Sequence, residues 1–383
     1  MSLLPVFFNL FKVITLMSGL YIHIPYCHSK CHYCDFYSGS GLGYQNIYVE
    51  AIAKEFSIRR QEIIEPFKTI YIGGGTPSSL EPINIERLLY FCKTMNDVNP
   101  EEFTVEVNPE DVTSGLIETL RSYGVNRVSM GIQSLVDSEL KDVGRNHLSS
   151  QAIESAGMIS ESFPNFSYDL IFGLPGQTLN SLRFSLDRLL ELRPPHISVY
   201  LLSYEPGTRL YARLAAGKIN ETDESTVNEM YSLICRKLAD EGYNHYEISN
   251  FALTGYESRH NSSYWASVPY LGLGASAHSF DGRLRRYNPS NLKEYLKSIN
   301  AGKSAAIIDE EDADNRLNDI LITRLRTARG LHRDDLLPSD YSRVESTINN
   351  LIERGQLSKI GDSVRIPEEQ WLVSDNILRD LIV

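Results

Sequence analysis

Between residues 20 and about 207, short apolar runs rich in β-branched and aromatic residues recur along the chain, separated by stretches with helical spacing. The runs are LYIHI (20–24), TIYIGG (69–74), FTVEVN (103–108), RVSMGI (127–132), FSYDLIF (166–172) and HISVYLL (196–202). Apolar residues at helical intervals mark 48–62, 85–95 and 179–192 between them. Strand alternating with helix predicts parallel βαβ units. Six such units predict an α/β fold built on an incomplete (βα)6 barrel, open on one side. In barrels of this kind the chemistry sits on loops at the C-terminal ends of the strands.

The pattern changes after residue 207. Residues 211–312 combine a helix over 226–241 with YNHYEISNFA (243–252) and YLGLGASAHSF (270–280), two segments expected to extend the sheet. From about residue 313 helices precede GQLSKIGDSVRI (355–366), a strand–turn–strand signal. The expected organisation is an N-terminal extension over 1–19, a partial barrel over 20–210, a barrel extension over 211–312 and a winged-helix-like α+β domain over 313–383.

Charge narrows the partners. The chain has 37 Lys and Arg against 49 Asp and Glu, a net charge of −12. Residues 315–383, where a wing would sit, hold ten Lys and Arg against eleven Asp and Glu. Nucleic-acid binding as the main task needs a basic surface, so no nucleic-acid partner is expected. The opening MSLLPVFFNLFKVITLMSG (1–19) lacks a basic start and a small-residue cleavage site, and Lys12 interrupts its apolar run. It is too short to span a bilayer. The expectation is a cytoplasmic protein with no membrane span and no export, in which Met17 is an alternative translation start.

The densest chemistry lies in YIHIPYCHSKCHYCDFYS (21–38), which carries Cys27, Cys31 and Cys34 in CxxxCxxC spacing directly after the first predicted strand. Three thiolates on one loop suit an iron–sulfur cluster that leaves one iron without a protein ligand. Structural zinc completed by His23, His28 or His32 is an open alternative. A disulfide framework is disfavoured by a total of five cysteines, with Cys92 and Cys235 isolated in apolar helical contexts. Gly73-Gly74-Gly75-Thr76-Pro77 follows the second strand, a loop whose backbone can approach a ligand closely, although a triple glycine alone also marks a tight turn. Glu106, Gln133, Arg145 and Asp169 fall at or just past strand ends. A carboxylate within an apolar strand is costly unless it is paired or functional. The bland reading is an ion pair of Arg145 with Asp169 or Glu106.

CxxxCxxC after a strand, followed by GGGTP, resembles the radical S-adenosylmethionine (SAM) superfamily. VEVNP, GIQS, GRNH and YDLIFGLP narrow the resemblance to the oxygen-independent coproporphyrinogen dehydrogenases (HemN) and the related haem chaperones (HemW). The resemblance implies a radical-SAM barrel in which Cys27, Cys31 and Cys34 hold a 4Fe–4S cluster. It implies that Tyr21, Gly74 and Glu106 contact a first S-adenosylmethionine, and that a side chain at position 74 would intrude on that molecule. Gly75, Thr76, Gln133, Arg145 and Asp169 match positions that contact a second one in the dehydrogenase. Two departures favour the chaperone branch: Phe36 stands where the dehydrogenase has a fourth cysteine, and only about twenty residues precede the first strand. RHNSSYW (259–265) resembles the HNxxYW haem-binding signature, which makes His260 the expected iron ligand; as a plain sequence, a His-Asn pair also caps turns and YW also packs in cores. His278, in GLGASAHSF, is a secondary ligand candidate. The function implied is haem binding and transfer to acceptor haemoproteins of the respiratory kind, with an electron donor for the cluster. The alternative is oxidative decarboxylation of coproporphyrinogen, and a zinc-stabilised binding protein is the third reading.

Overall fold

The structure, a computed structural model, describes residues 18–39, 43–95, 98–310 and 312–383. Six parallel strands pair in chain order: β1 (Ser18–Ile24), β2 (Phe67–Gly74), β3 (Val98–Val107), β4 (Arg127–Gln133), β5 (Phe166–Phe172) and β6 (His196–Leu201). Helices Gln45–Arg59, Pro82–Thr94, Ser114–Ser122, Ser149–Ser162 and Leu179–Glu191 alternate with them. Every residue of β1 except Tyr21 is buried, so helices cover one face and the barrel interior the other. Strand β1 begins at Ser18, two residues before the predicted start. The expectations about a leader and about Met17 fall on residues 1–17, outside the described part of the chain.

Both segments expected to extend the sheet do so, at opposite edges. β7 (Asn244–Glu247) and β8 (Asn250–Ala252) join antiparallel beside β6. β9 (Tyr270–Leu273) lies parallel to β1, and β10 (His278–Phe280), β11 (Arg285–Tyr287) and β12 (Ile307–Asp309) continue antiparallel, giving a 12-stranded sheet. The chain passes from one edge to the other through helix Arg259–Trp265, which packs on β1 and β2. In a flat sheet, β1 and β6 would lie about 24 Å apart, five intervals of about 4.8 Å. Yet Tyr21 and His23, on β1, and Tyr200, on β6, line the same cavity. The sheet is therefore curled into an open barrel, as the sequence predicts.

Residues 313–383 supply helices Ala313–Leu325 and Pro338–Glu353 and a small antiparallel sheet, ordered β13 (Leu331–His332), β15 (Ser363–Arg365), β14 (Ser358–Ile360). Arg324 ties this unit to the barrel by donating to the carbonyls of Trp265 and Ala266, just past the crossover helix. Among the described residues no helix is long and apolar enough to cross a membrane.

Candidate functional site

The loop after β1 is held at several points. Cys27 N–H donates to Gly39 O (3.2 Å), and Gly39 N–H donates to Pro25 O (3.0 Å). His32 is gripped on both backbone groups, its N–H by Val143 O (2.9 Å) and its C=O by Leu210 N–H (2.8 Å). Cys27, Cys31 and Cys34 all face one cavity of about 440 Å³ at the C-terminal ends of the strands. Burial raises the Cys27 thiol pKa and pushes that of Cys34 up to about 11, so these thiols stay protonated until a cation replaces the proton. Two donors already point at the sulfurs: Thr76 Oγ1 at Cys27 Sγ (3.4 Å) and Arg145 Nη1 at Cys31 Sγ (3.5 Å).

The three histidines weighed as a fourth zinc ligand each bond another group. His23 has both ring nitrogens engaged, by Tyr21 OH and Tyr37 O (3.0 Å each). His28 bonds Asp111 (2.9 Å), and His32 bonds the Asp142 carbonyl (3.1 Å). Three thiols that line one cavity suit a cubane, whose separate iron corners each take one thiolate.

Across the cavity the glycine loop leaves little room for side chains. Gly74 has φ +106°, and a Cβ there would lie 2.5 Å from the His23 ring. A Cβ on Gly75 would lie 2.6 Å from Tyr26 O and 3.1 Å from Cys27 Sγ. A side chain at position 74 therefore strikes protein first, not the ligand space the resemblance implies. Glu106 accepts from Tyr71 OH (2.6 Å) and Gly74 N–H (3.2 Å). Burial, with the nearby Asp169 carboxylate, pushes its pKa up to about 7 despite those donors. Asp169 is likewise raised by burial and accepts from Ser129 Oγ (3.3 Å).

The ion pair of the bland reading, Arg145 with Asp169 or Glu106, is absent among the described contacts. Arg145 Nη2 instead donates to Asn108 Oδ1 (2.9 Å) and Gly131 O (2.7 Å). A register shift in β4 between Gly131 and Gln133 turns Gln133 into the cavity at φ +68°. Such a bulge re-aims a side chain, and the left-handed conformation costs about 1–3 kcal/mol. Gln133 Oε1 and Arg145 Nε are buried without a partner, two polar atoms available to a ligand. Sequence reasoning passed over Asn108, which bridges Arg145 and Thr76 Oγ1 (3.2 Å); its signal was the NP step that ends β3.

Cys27, Cys31, Cys34, Gly74, Gly75, Thr76, Glu106, Gln133, Arg145 and Asp169 thus share one cavity. Tyr21 does not line it. It faces an adjoining cavity of about 620 Å³ that shares the Phe36 and Tyr200 walls and is lined also by Tyr264, Trp265 and His278. His260 lines neither. Its imidazole is fully buried, with Nδ1 bonded to Thr69 Oγ1 and Nε2 to Tyr264 OH (2.7 Å each), and it stacks on Tyr71 at 5.1 Å. Burial, with Arg127 nearby, pushes its pKa down to about 3. In this conformation the ring braces its helix against β2 and orients Tyr264.

A sequence profile of the radical SAM superfamily matches residues 21–189. The haem chaperone HemW of Lactococcus lactis is 40% identical over 284 residues, 73% of this chain and 74% of that one. The haem chaperone HemW of Bacillus subtilis is 34% identical over 376 residues, 94% of this chain and 98% of that one. Among solved structures, the coproporphyrinogen III oxidase HemN of Escherichia coli superposes with a TM-score of 0.79 at 22% identity, covering 98% of this chain and 93% of that one. At that identity the superposition shows a shared fold.

Proposed function

We infer, for a chain that belongs to the HemW family of haem chaperones within the radical SAM superfamily, that it binds haem and passes it to acceptor haemoproteins. The observation that carries this reading is the full-length similarity to those chaperones, together with an aromatic cavity on the Tyr264–Trp265 side of the barrel. The family brings a 4Fe–4S cluster and S-adenosylmethionine. We assign Cys27, Cys31 and Cys34 as cluster ligands, and Gly74, Gly75, Thr76, Glu106, Gln133, Arg145 and Asp169 as the wall against S-adenosylmethionine; Tyr21 braces that wall through His23. When bound, the cluster supplies an electron and an open iron site. The protein's part is to hold the molecule with Glu106 and the loop N–H groups, to orient it with Gln133 and Arg145, and to seal the inner face with Thr76 and Asn108. An electron donor, acceptors of the respiratory kind and a cytoplasmic setting complete the proposal.

Protein reconstituted without oxygen is expected to bind haem and to yield little vinyl product from coproporphyrinogen. Haem titration followed by absorbance, beside chromatography of porphyrin products, checks both. Robust turnover without haem binding would move the protein to the dehydrogenase branch.

The raised Glu106 pKa adds a pH dependence. With a folded value of about 7, the carboxyl is protonated below that pH and ionised above it. A ligand ammonium prefers the carboxylate, so S-adenosylmethionine affinity should weaken by about tenfold per unit as pH falls below about 7, with proton release on binding. Glu106→Gln should weaken binding and flatten the slope. Calorimetry at about pH 6 and about pH 8 decides it; a steep slope that survives in Glu106→Gln would assign the titration elsewhere.

A further inference from the structure

Two histidines line the cavity beside the cysteine site, and they differ in one respect. His23 has both ring nitrogens engaged within the protein. His278, at the start of β10, is exposed, and no described group hydrogen-bonds its ring nitrogens. Its ring leans toward Tyr287 at 5.9 Å.

The backbone beneath His278 is unusually well fixed. A Cβ on Gly272 would overlap the His278 carbonyl, so only glycine lets β9 and β10 close so tightly. Arg59, fully buried, donates to Gly272 O and to Ser279 Oγ (2.9 Å each), and is itself paired with Glu55 (2.8 Å). Glu55 in turn accepts from Gly274 N–H (2.8 Å) and from Asn288 Nδ2 (2.7 Å). A buried ionic network thus clamps both sides of the residue whose imidazole is left open. Rigid support for a free side chain is what a ligand position needs, whereas a merely solvated surface histidine needs none.

The cavity around it has a matching character. Tyr21, Tyr264, Trp265, Tyr270 and Phe280 line it, supplying flat faces for an aromatic macrocycle. Its volume of about 620 Å³ lies within the range that holds large cofactors. A neutral imidazole is a good axial ligand for haem iron.

We propose that His278 supplies an axial ligand to the iron of a haem seated in this cavity, between the aromatic walls and the Phe36–Tyr200 partition from the cysteine site. The proposal rests on the haem-chaperone reading. It assigns His260 a positioning role, acting through Tyr264.

The test is haem titration into the full, reconstituted chain as wild type, His278→Ala, His278→Cys and His260→Ala, with circular dichroism confirming folding of each. Removing the imidazole should weaken haem binding by roughly tenfold or more. Cysteine at the same position should restore binding with the red-shifted Soret band and electron paramagnetic signature of a thiolate, a change that a structural role would not produce. His260→Ala should weaken binding while leaving the ligation signature of wild type. Wild-type affinity and an unmoved Soret band in both His278 variants would overturn the assignment while leaving the chaperone reading intact. Failure of the wild type to bind haem would overturn both.

Discussion

Protein carrying Cys31→Ala, reconstituted without oxygen, is expected to retain little iron and sulfide and to lose most of its brown visible absorption. The same holds for Cys27→Ala and Cys34→Ala, because all three thiols face one cavity and the neighbouring His23 has both ring nitrogens engaged. Cys92 is fully enclosed in helix Pro82–Thr94, where burial drives its thiol far up, and Cys235 lies in helix Glu224–Asp240. Alanine at either should leave the cluster intact. Iron and acid-labile sulfide assays on the five variants check this. Stoichiometric zinc without iron in the wild type, or unchanged iron after removal of one of the three cysteines, would refute the cluster assignment.

Gly74→Val should abolish S-adenosylmethionine binding within a calorimetric window, a loss of more than about tenfold or about 1.4 kcal/mol. The cause is the protein's own packing. A Cβ at this position meets the His23 ring at 2.5 Å, and φ +106° is unfavourable for a β-branched residue. Relief requires the loop to move, which pulls the Gly74 N–H from Glu106 and disturbs the Tyr21–His23–Tyr37 chain behind it. Cluster content should stay near normal, since all three thiols remain. Wild-type affinity in Gly74→Val would show that the loop does not contact the ligand.

The predicted strands overlap the observed ones because the central residues of β1 to β6 are buried on both faces and read as continuous apolar runs; the run 166–172 coincides with β5 residue for residue, whereas β3 begins five residues before its predicted start, over a stretch whose first four residues are not buried. The site was legible for a related reason. Cysteines at CxxxCxxC, glycines at 73–75 and carboxylates inside apolar strands are each expensive or idle in an ordinary core, so their presence at strand ends marked the cavity in which Cys27 to Asp169 meet. Asn108 escaped notice because an Asn-Pro step reads as an ordinary turn.

His260 and His278 show where the sequence stops. HNxxYW drew attention to the first histidine, yet a motif does not state which way an imidazole points or what already bonds it. The orientation depends on Thr69, Glu102 and Tyr71, residues more than 150 positions away that the sheet brings beneath the crossover helix. His278 lay in a small-residue segment whose role as a rigid platform depends on Arg59 and Glu55, more than 200 positions distant. Local periodicity and residue chemistry determined the barrel and the cluster loop, since those signals act over a few neighbouring residues. Which imidazole is closed and which is open to the cavity was decided by tertiary packing alone, because hydrogen-bond satisfaction of a side chain is set by whatever distant groups folding places within about 3 Å of it.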